Sequence, residues 1–446
     1  MTAPTRRRRV SLMFVAWAGF VLAALQACGD AGTTDRNKAQ IRLVNATAIN
    51  GGYAQLALRL NDELRQGQVA YGDNAIYAEV DDGSPTLAIS TQTSATALLT
   101  ATASLSKGRY YTALAYGYAG AARQVLLDDN QSDPDVNKSL LRVVNAAPDG
   151  GALDIYLTGA DEDLSASVPV QASATYGAVG SWLTVGSASW RLRVTAASSK
   201  TDVRLDVSGL SLSSRQIATL VLTPGGGGVL ANALLLTQRS SINRVDNTQA
   251  RVRLAAGLDG VGNTRLLVGA TVVASGAQSP TLGSYTTANA VSPAVTFSVA
   301  GVPLTATGAA LSAGGDYSLL AYGSTSLAAQ QAGALSPRGS WLLDNNRAPT
   351  DSTLARVRLV NGLADSPGTL SLSADFFSLA TGVAAGTASA YADTAVGTTI
   401  TLSINGSNTS VPLYSAGAQT LVAGATYSVL VVGLTAAPAV IVRRDR

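Results

Sequence analysis

The sequence predicts an all-β protein of four tandem sandwich domains, and three observations carry that expectation. Three residue patterns recur in one order along the 446 residues. Hydrophobicity between them has a period of two. Short Val/Leu/Thr/Tyr runs are separated by turn-forming clusters such as Asp81-Asp82-Gly83-Ser84-Pro85.

The first pattern is an opening strand: Ile41-Arg42-Leu43-Val44-Asn45-Ala46, Leu141-Arg142-Val143-Val144-Asn145-Ala146, Val252-Arg253-Leu254-Ala255-Ala256 and Val357-Arg358-Leu359-Val360-Asn361. Its arginines lie 100, 111 and 105 residues apart, a domain length rather than a solenoid length. The second is a tyrosine, Tyr71, Tyr176, Tyr285 and Tyr391, which follows those arginines by 29, 34, 32 and 33 residues. The third, Leu-x-x-Gly-x-x-Tyr-[Ser/Thr]-x-Leu-x-x-Gly, begins at Leu105, Leu311 and Leu421. In the second unit it is degraded, with Ile217 and Leu220 at the Tyr and Leu places.

Leu56, Leu58 and Leu60 alternate with small or polar residues, as do Leu153, Ile155 and Leu157, and then Leu370 and Leu372. Strict alternation gives each strand one core face and one water face, the arrangement of antiparallel sheets. No stretch after residue 40 sustains helical spacing for long with convincing caps. About seven strands per unit fit an immunoglobulin-like β-sandwich. In that setting Tyr111, Tyr317 and Tyr427 have the structural role of a tyrosine corner, each turning its hydroxyl back to an upstream backbone group. The expected units are 40–129, 140–239, 250–343 and 355–446. A membrane β-barrel is disfavoured, because 5% aromatic residues are too few for two girdles and the repeat is domain-sized.

Composition narrows the chemistry. With no His and one Cys, serine-triad, cysteine–histidine and zinc mechanisms lose their usual residues, and intramolecular disulfides are excluded. Arg6 to Arg9 followed by the apolar Val10 to Leu25 reads as a secretory leader. Removing residues 1–27 takes away four Arg and no acid, leaving 27 basic against 28 acidic residues. The apparent basicity therefore belongs to the leader, and no basic face points to nucleic acid.

The leader ends Leu25-Gln26-Ala27-Cys28, which resembles the lipobox of bacterial lipoproteins. The resemblance implies cleavage before Cys28, lipidation of Cys28 and a tether over 28–39. The partner it implies is the membrane, reached through the acylated N-terminal cysteine, since two or three acyl chains anchor durably. Gly29 rather than Asp follows the Cys, which by the same resemblance points to the outer membrane.

The units themselves resemble a bacterial envelope family known as domain of unknown function 4397. The second unit carries the resemblance best, as Arg142-Val143-Val144-Asn145-Ala146-Ala147-Pro148-Asp149 and then Leu153-Asp154-Ile155-Tyr156-Leu157. Tyr71-Gly72 with Tyr77, and Tyr176-Gly177 with Trp182, look like its mid-domain pattern. The third unit departs from it, with Ala255-Ala256 where Val-Asn is expected. The family implies the fold and no catalytic residue.

Four places were candidates for chemistry. Asp128, Asp129, Asp133 and Asp135 in the first polar junction offer oxygen ligands for calcium, against the plain alternative of a solvated linker. The other two junctions, Asn243 to Asn247 and Asp344 to Asp351, read as linkers too. Asp161, Glu162 and Asp163 are the densest carboxylate cluster for glycoside hydrolysis, or else a charged loop. Gly225 to Gly228 lack a following Lys-[Ser/Thr] and read as a hairpin turn rather than a phosphate cradle. Lys107, Lys138 and Lys200 are the lysines available to a Ser/Lys dyad. The expectation is a noncatalytic envelope protein without cofactor, acting in adhesion, scaffolding or ligand capture on an envelope or extracellular protein or glycan. A carbohydrate-binding or enzyme-accessory lipoprotein is the alternative, and a histidine-free hydrolase a weaker one. Placed end to end, four units of about 35 to 40 Å would span on the order of 150 Å.

Overall fold

A computed structural model of the chain describes residues 37–73, 76–365, 368–409 and 411–446. The leader and Cys28 lie outside the described residues. Unit 1 consists of β1 (Ala39–Thr47), β2 (Gln55–Leu60), β3 (Glu63–Ala70), β4 (Ala78–Val80), β5 (Thr86–Thr91), β6 (Ala97–Thr102), β7 (Tyr110–Gly117) and β8 (Arg123–Asp128). They form two sheets, β4-β1-β7-β8 and β3-β2-β5-β6. Ile41 and Leu43 of β1, Leu58 of β2, Ile89 of β5 and Ala113 of β7 close the core between them. Asn61 and Asp62 turn the β2–β3 hairpin with positive φ (47° and 66°), a conformation that Asn and Asp tolerate better than most residues.

This order repeats in all four units. In every unit a parallel pairing joins the opening strand to the strand before the closing one: β1 with β7, Lys138–Asn145 with Ile217–Pro224, Gln249–Ala256 with Asp316–Tyr322, and Ala355–Leu363 with Thr426–Leu434; unit 3 adds a second, Ala306–Gly308 with Arg338–Leu343. The all-β sandwich expectation holds, with eight principal strands per unit where about seven were expected. Unit 2 continues beyond residue 239, because Ile242–Val245 adds an edge strand to Ala231–Thr237.

Strict alternation fails where it matters most. All nine residues of β1 are buried, as are all of Ile217–Pro224 and Asp316–Tyr322. One face of each such strand serves its own sandwich core, and the other meets the corresponding sheet of a neighbouring unit. Val44, Leu114 and Tyr116 of unit 1 pack on Val144, Val221 and Leu234 of unit 2. Leu320, Tyr322 and Leu342 of unit 3 pack on Val360, Leu430 and Val432 of unit 4. At the second seam the backbones approach so closely that a Cβ on Gly257 would sit 2.2 Å from Val432 Cγ1.

The two pairs also touch each other. Gly226 N–H donates to Gly314 O at 2.7 Å, Ala348 N–H to Asp149 at 3.0 Å, and Arg347 to Asn50 O at 3.0 Å. Arg446 pairs with Asp149 at 2.6 Å. The extended string of about 150 Å is therefore replaced by two back-to-back pairs folded against each other. Hydrophobic burial between sheets, roughly 25 cal/mol per Å², favours this over four separately solvated bodies.

Candidate functional site

The recurrent arginines occupy the seams. Arg42, Arg253 and Arg358 are each 1% exposed and Arg142 is 6% exposed, so their charges must be met inside the protein. Parallel register places a hydroxyl residue opposite each arginine. The same bond follows in every unit: Arg42 Nε to Thr112 Oγ1 at 2.9 Å, Arg142 to Thr219 at 2.8 Å, Arg253 to Ser318 at 2.8 Å and Arg358 to Ser428 at 2.9 Å. An aromatic ring covers each guanidinium, with Tyr77, Trp182, Tyr285 and Tyr391 centred 4.4–5.0 Å away.

These contacts correct two sequence alignments. Tyr285 and Tyr391 correspond to Tyr77 and Trp182, not to Tyr71 and Tyr176. Those two tyrosines reach across the first seam, Tyr71 to Thr223 Oγ1 at 2.7 Å and Tyr176 edge-on to Tyr116. Burial pushes both of their hydroxyl pKa values up to about 12. In unit 2 the Tyr and Leu places fall on Ala218 and Val221, one residue beyond the Ile217 and Leu220 read from spacing, because Thr219 has to face Arg142.

A carboxylate just after the closing strand completes three of the four clusters. Asp344 accepts from Tyr285 Oη at 2.5 Å, Ser318 Oγ at 2.6 Å and, across the seam, Arg358 at 2.6 Å. Asp445 accepts from Tyr391 Oη at 2.9 Å, Ser428 Oγ at 2.6 Å and, from unit 3, Arg253 at 2.5 Å. The exchange is reciprocal and makes the second pair pseudo-symmetric. In the first pair Asp129 meets Tyr77, Thr112 and Arg142, the last at 3.5 Å. Unit 2 has Gln238 at the equivalent place, and Arg42 donates instead to Ser240 O at 2.7 Å and Thr237 O at 3.3 Å.

Asp344 shows the electrostatic balance. Burial pushes its pKa up, but Arg358, Arg253 and the hydroxyls of Ser318 and Tyr285 outweigh that, and the carboxyl lies below its ordinary value. The arrangement is a lock between sheets, with its carboxylates occupied.

The calcium candidates do not converge. Among the described residues no three acidic, His or Cys side chains form a metal-holding group. Asp128 binds Arg109 at 2.7 Å and the Asn130 side chain at 2.9 Å, Asp129 belongs to the lock, and Asp133 and Asp135 are exposed. The solvated-linker reading also fails at Asp129, Asn247, Asp344 and Asn346, all 5% exposed or less: the two acids join the locks, Asn247 donates to Arg204 O and Ala231 O of unit 2, and Asn346 donates to the Tyr285 hydroxyl.

Glu162 accepts from Gly159 N–H at 3.1 Å and Ser167 Oγ at 2.9 Å, and Asp163 from Ser165 N–H at 2.8 Å. These bonds hold both carboxyls below their ordinary range, the opposite of what a general acid needs. Lys200 donates to the backbone oxygens of Ser165 and Ser167, Lys107 lies 4.0 Å from Asp82, and Lys138 is exposed. Gly225 N–H closes the hairpin on Leu230 O at 2.9 Å, and a Cβ on Gly228 would meet the Asp316 carboxyl at 2.3 Å. That glycine run therefore turns a hairpin and lets unit 2 dock on unit 3.

Tyr111, Tyr317 and Tyr427 each accept, at the hydroxyl oxygen, a backbone N–H five residues upstream: Ser106 at 3.1 Å, Ser312 at 3.1 Å and Val422 at 2.9 Å. Tyr111→Phe is expected to destabilise unit 1 by about 1 kcal/mol in urea unfolding, and an unchanged midpoint would deny the bond any weight.

Asn45, Asn145 and Asn361 are fully buried brackets whose amides bind the third strand of their own sandwiches and, at Asn45 and Asn145, the turn after the opening strand as well. Beside the second lock a cleft of about 570 Å³ opens, lined by Arg251, Arg253, Ser284, Tyr285, Arg443 and Arg444 among others.

Residues 39–156 match the family model described as Domain of unknown function (DUF4397). The chain carries a DUF4397-like domain. The DUF4397 match runs from β1 into the second strand of unit 2 and so takes in Arg42, Asp129 and Arg142, the members of the first lock. Units 3 and 4 lie beyond the matched residues and share its strand order and its Arg-to-hydroxyl bond. No curated protein matches the chain.

Proposed function

We propose that the chain is a noncatalytic, lipid-anchored cell-envelope protein whose four sandwiches form one rigid body for adhesion, scaffolding or ligand capture. The observation that supports this most is the use of its recurrent charged residues. They are spent on locking sheets together, and the carboxylate cluster that offered hydrolysis is tied down as loop caps. A body fixed in this way presents its loops and outer sheets at constant spacing, which lowers the ordering cost of binding. Anchorage is through Cys28, with the residues between it and β1 as tether, one residue shorter than the expected 28–39 because Ala39 is buried in β1, and the outer membrane as destination.

Cys28→Ser in a double-membraned bacterium tests the anchor. Metabolic labelling with a fatty acid is expected to mark the parent chain and not the variant, and the variant is expected to lose its mature membrane-bound form. An unlabelled parent chain, or label retained by C28S, contradicts the anchor.

A further inference from the structure

The second pair carries arginines that its lock does not use. Two residues before the recurrent arginine stand Gln40 and Leu140 in units 1 and 2, but Arg251 in unit 3 and Arg356 in unit 4, the latter paired with Asp393 at 3.2 Å. Immediately before the lock carboxylate stand Leu127-Asp128 in unit 1 and Leu342-Leu343 in unit 3, but Arg443-Arg444 in unit 4. Gln40 and Leu140 at the Arg251 position, and Leu127 and Leu342 at the Arg443 position, show that the fold does not require arginine there. Arg251, Arg443 and Arg444 all line the cleft where units 2, 3 and 4 meet.

The charge there is unevenly satisfied. Arg251 spends Nε and Nη2 on Asp316, at 2.8 Å for Nε. Among the described residues Arg443 is held by uncharged groups, Leu282 O and Ser284 Oγ. Arg444 is exposed and donates through Nε to Arg446 O at 2.7 Å, with no ion pair among the described residues. Beside Arg251, Arg204 donates Nη2 to Asp202 at 2.6 Å while its buried Nε and Nη1 have no hydrogen-bond partner among the described residues. Burial lowers the Arg204 pKa, and the positive charges of Arg251 and Arg446 act in the same direction. The hydroxyls of Thr201, Ser284, Thr286 and Thr287 share the lining with two carboxylates, Asp202, which is paired with Arg204, and Asp445, which the lock occupies. A cleft of about 570 Å³ falls within the range of small-molecule sites. Guanidinium forks match planar oxyanions, and the surrounding hydroxyls match further hydroxyls on the ligand.

We propose that this cleft binds a small hydroxylated oxyanion of the sugar-acid class, with Arg443 and Arg444 taking the carboxylate and Arg251 and the Ser/Thr rim orienting the ring hydroxyls. The proposal deepens the ligand-capture reading and uses residues remote in sequence from Cys28, so loss of anchoring and loss of binding are separate results.

Calorimetric titration of the full-length chain in detergent, at low ionic strength, tests it with glucuronate, glucose and inorganic phosphate as probes. Glucuronate is expected to bind saturably and at least about tenfold more tightly than glucose, and to weaken as salt is added. Arg444→Gln, at an exposed position, and the double variant R443Q/R444Q are expected to weaken glucuronate at least about tenfold, with the unfolding transition recorded on the same samples to show an intact fold. Glucose binding as tightly as glucuronate, no saturable glucuronate binding, or unchanged binding by the folded variants would overturn the site. Phosphate binding more tightly than glucuronate would overturn the sugar-acid assignment and place the oxyanion among phosphates.

Discussion

Replacing Asp344 with Asn is expected to lower the stability of the second pair by about 3–5 kcal/mol, the cost of leaving a buried ion cluster one partner short. Asp344 is 1% exposed and accepts from Arg358, Ser318 and Tyr285, with Arg253 Nε 3.6 Å away. The amide keeps the shape and removes the charge, so Arg358 is left buried without its carboxylate. Asp129→Asn should cost less, because Asp129 stands 3.5 Å from its arginine and the partner cluster already lacks an acid. Urea unfolding of the two variants checks both the size and the order. The pH dependence has a definite sign. Asp344 is held below its ordinary value when folded, so its contribution is complete above the unfolded carboxylate pKa of about 4 and is lost as pH falls through the lower folded value. The D344N variant should lack that part of the acid transition.

Leu320→Asp is expected to open the seam between units 3 and 4, because it places an unpaired carboxylate at a fully buried apolar position at a cost of several kcal/mol. The neighbouring residue separates the two faces of the strand. Leu319 belongs to the core of unit 3 itself, whereas Leu320 meets unit 4. Hydrogen exchange should therefore show L320D losing protection on the seam faces, including Thr426–Leu434, while L319D unfolds unit 3 as a whole. Equal protection in L320D and the parent chain would mean that the seam carries no energy.

Much of the architecture was legible because the repeat restarts with local rules. Alternation at Leu56, Leu58 and Leu60 and turn clusters such as Asp81 to Pro85 define strands and their ends without reference to distant residues. The pairing of units was harder to read, although a signal existed. Arg42, Val44 and Ala46 share one face of β1, and that face is as apolar around its arginine as the face of Ile41 and Leu43. A strand apolar on both sides is buried on both sides. The recurrent arginine was the mark of that second face, and read alone it looked like a register marker. The polar junctions misled for a related reason: Asp129 and Asp344 are turn-forming by composition, but their partners come from another unit. The cleft could not be read at all, since Arg251 and Arg443 are separated by most of two units.

The central claim is that doubly buried sheets, locked by Arg42, Arg142, Arg253 and Arg358, hold the four sandwiches in one body. Small-angle X-ray scattering of residues 37–446 in dilute solution tests it most directly. A radius of gyration of about 22–28 Å, with a single compact distance distribution, is the result expected. A value above about 40 Å, the signature of four units strung over on the order of 150 Å, would contradict it.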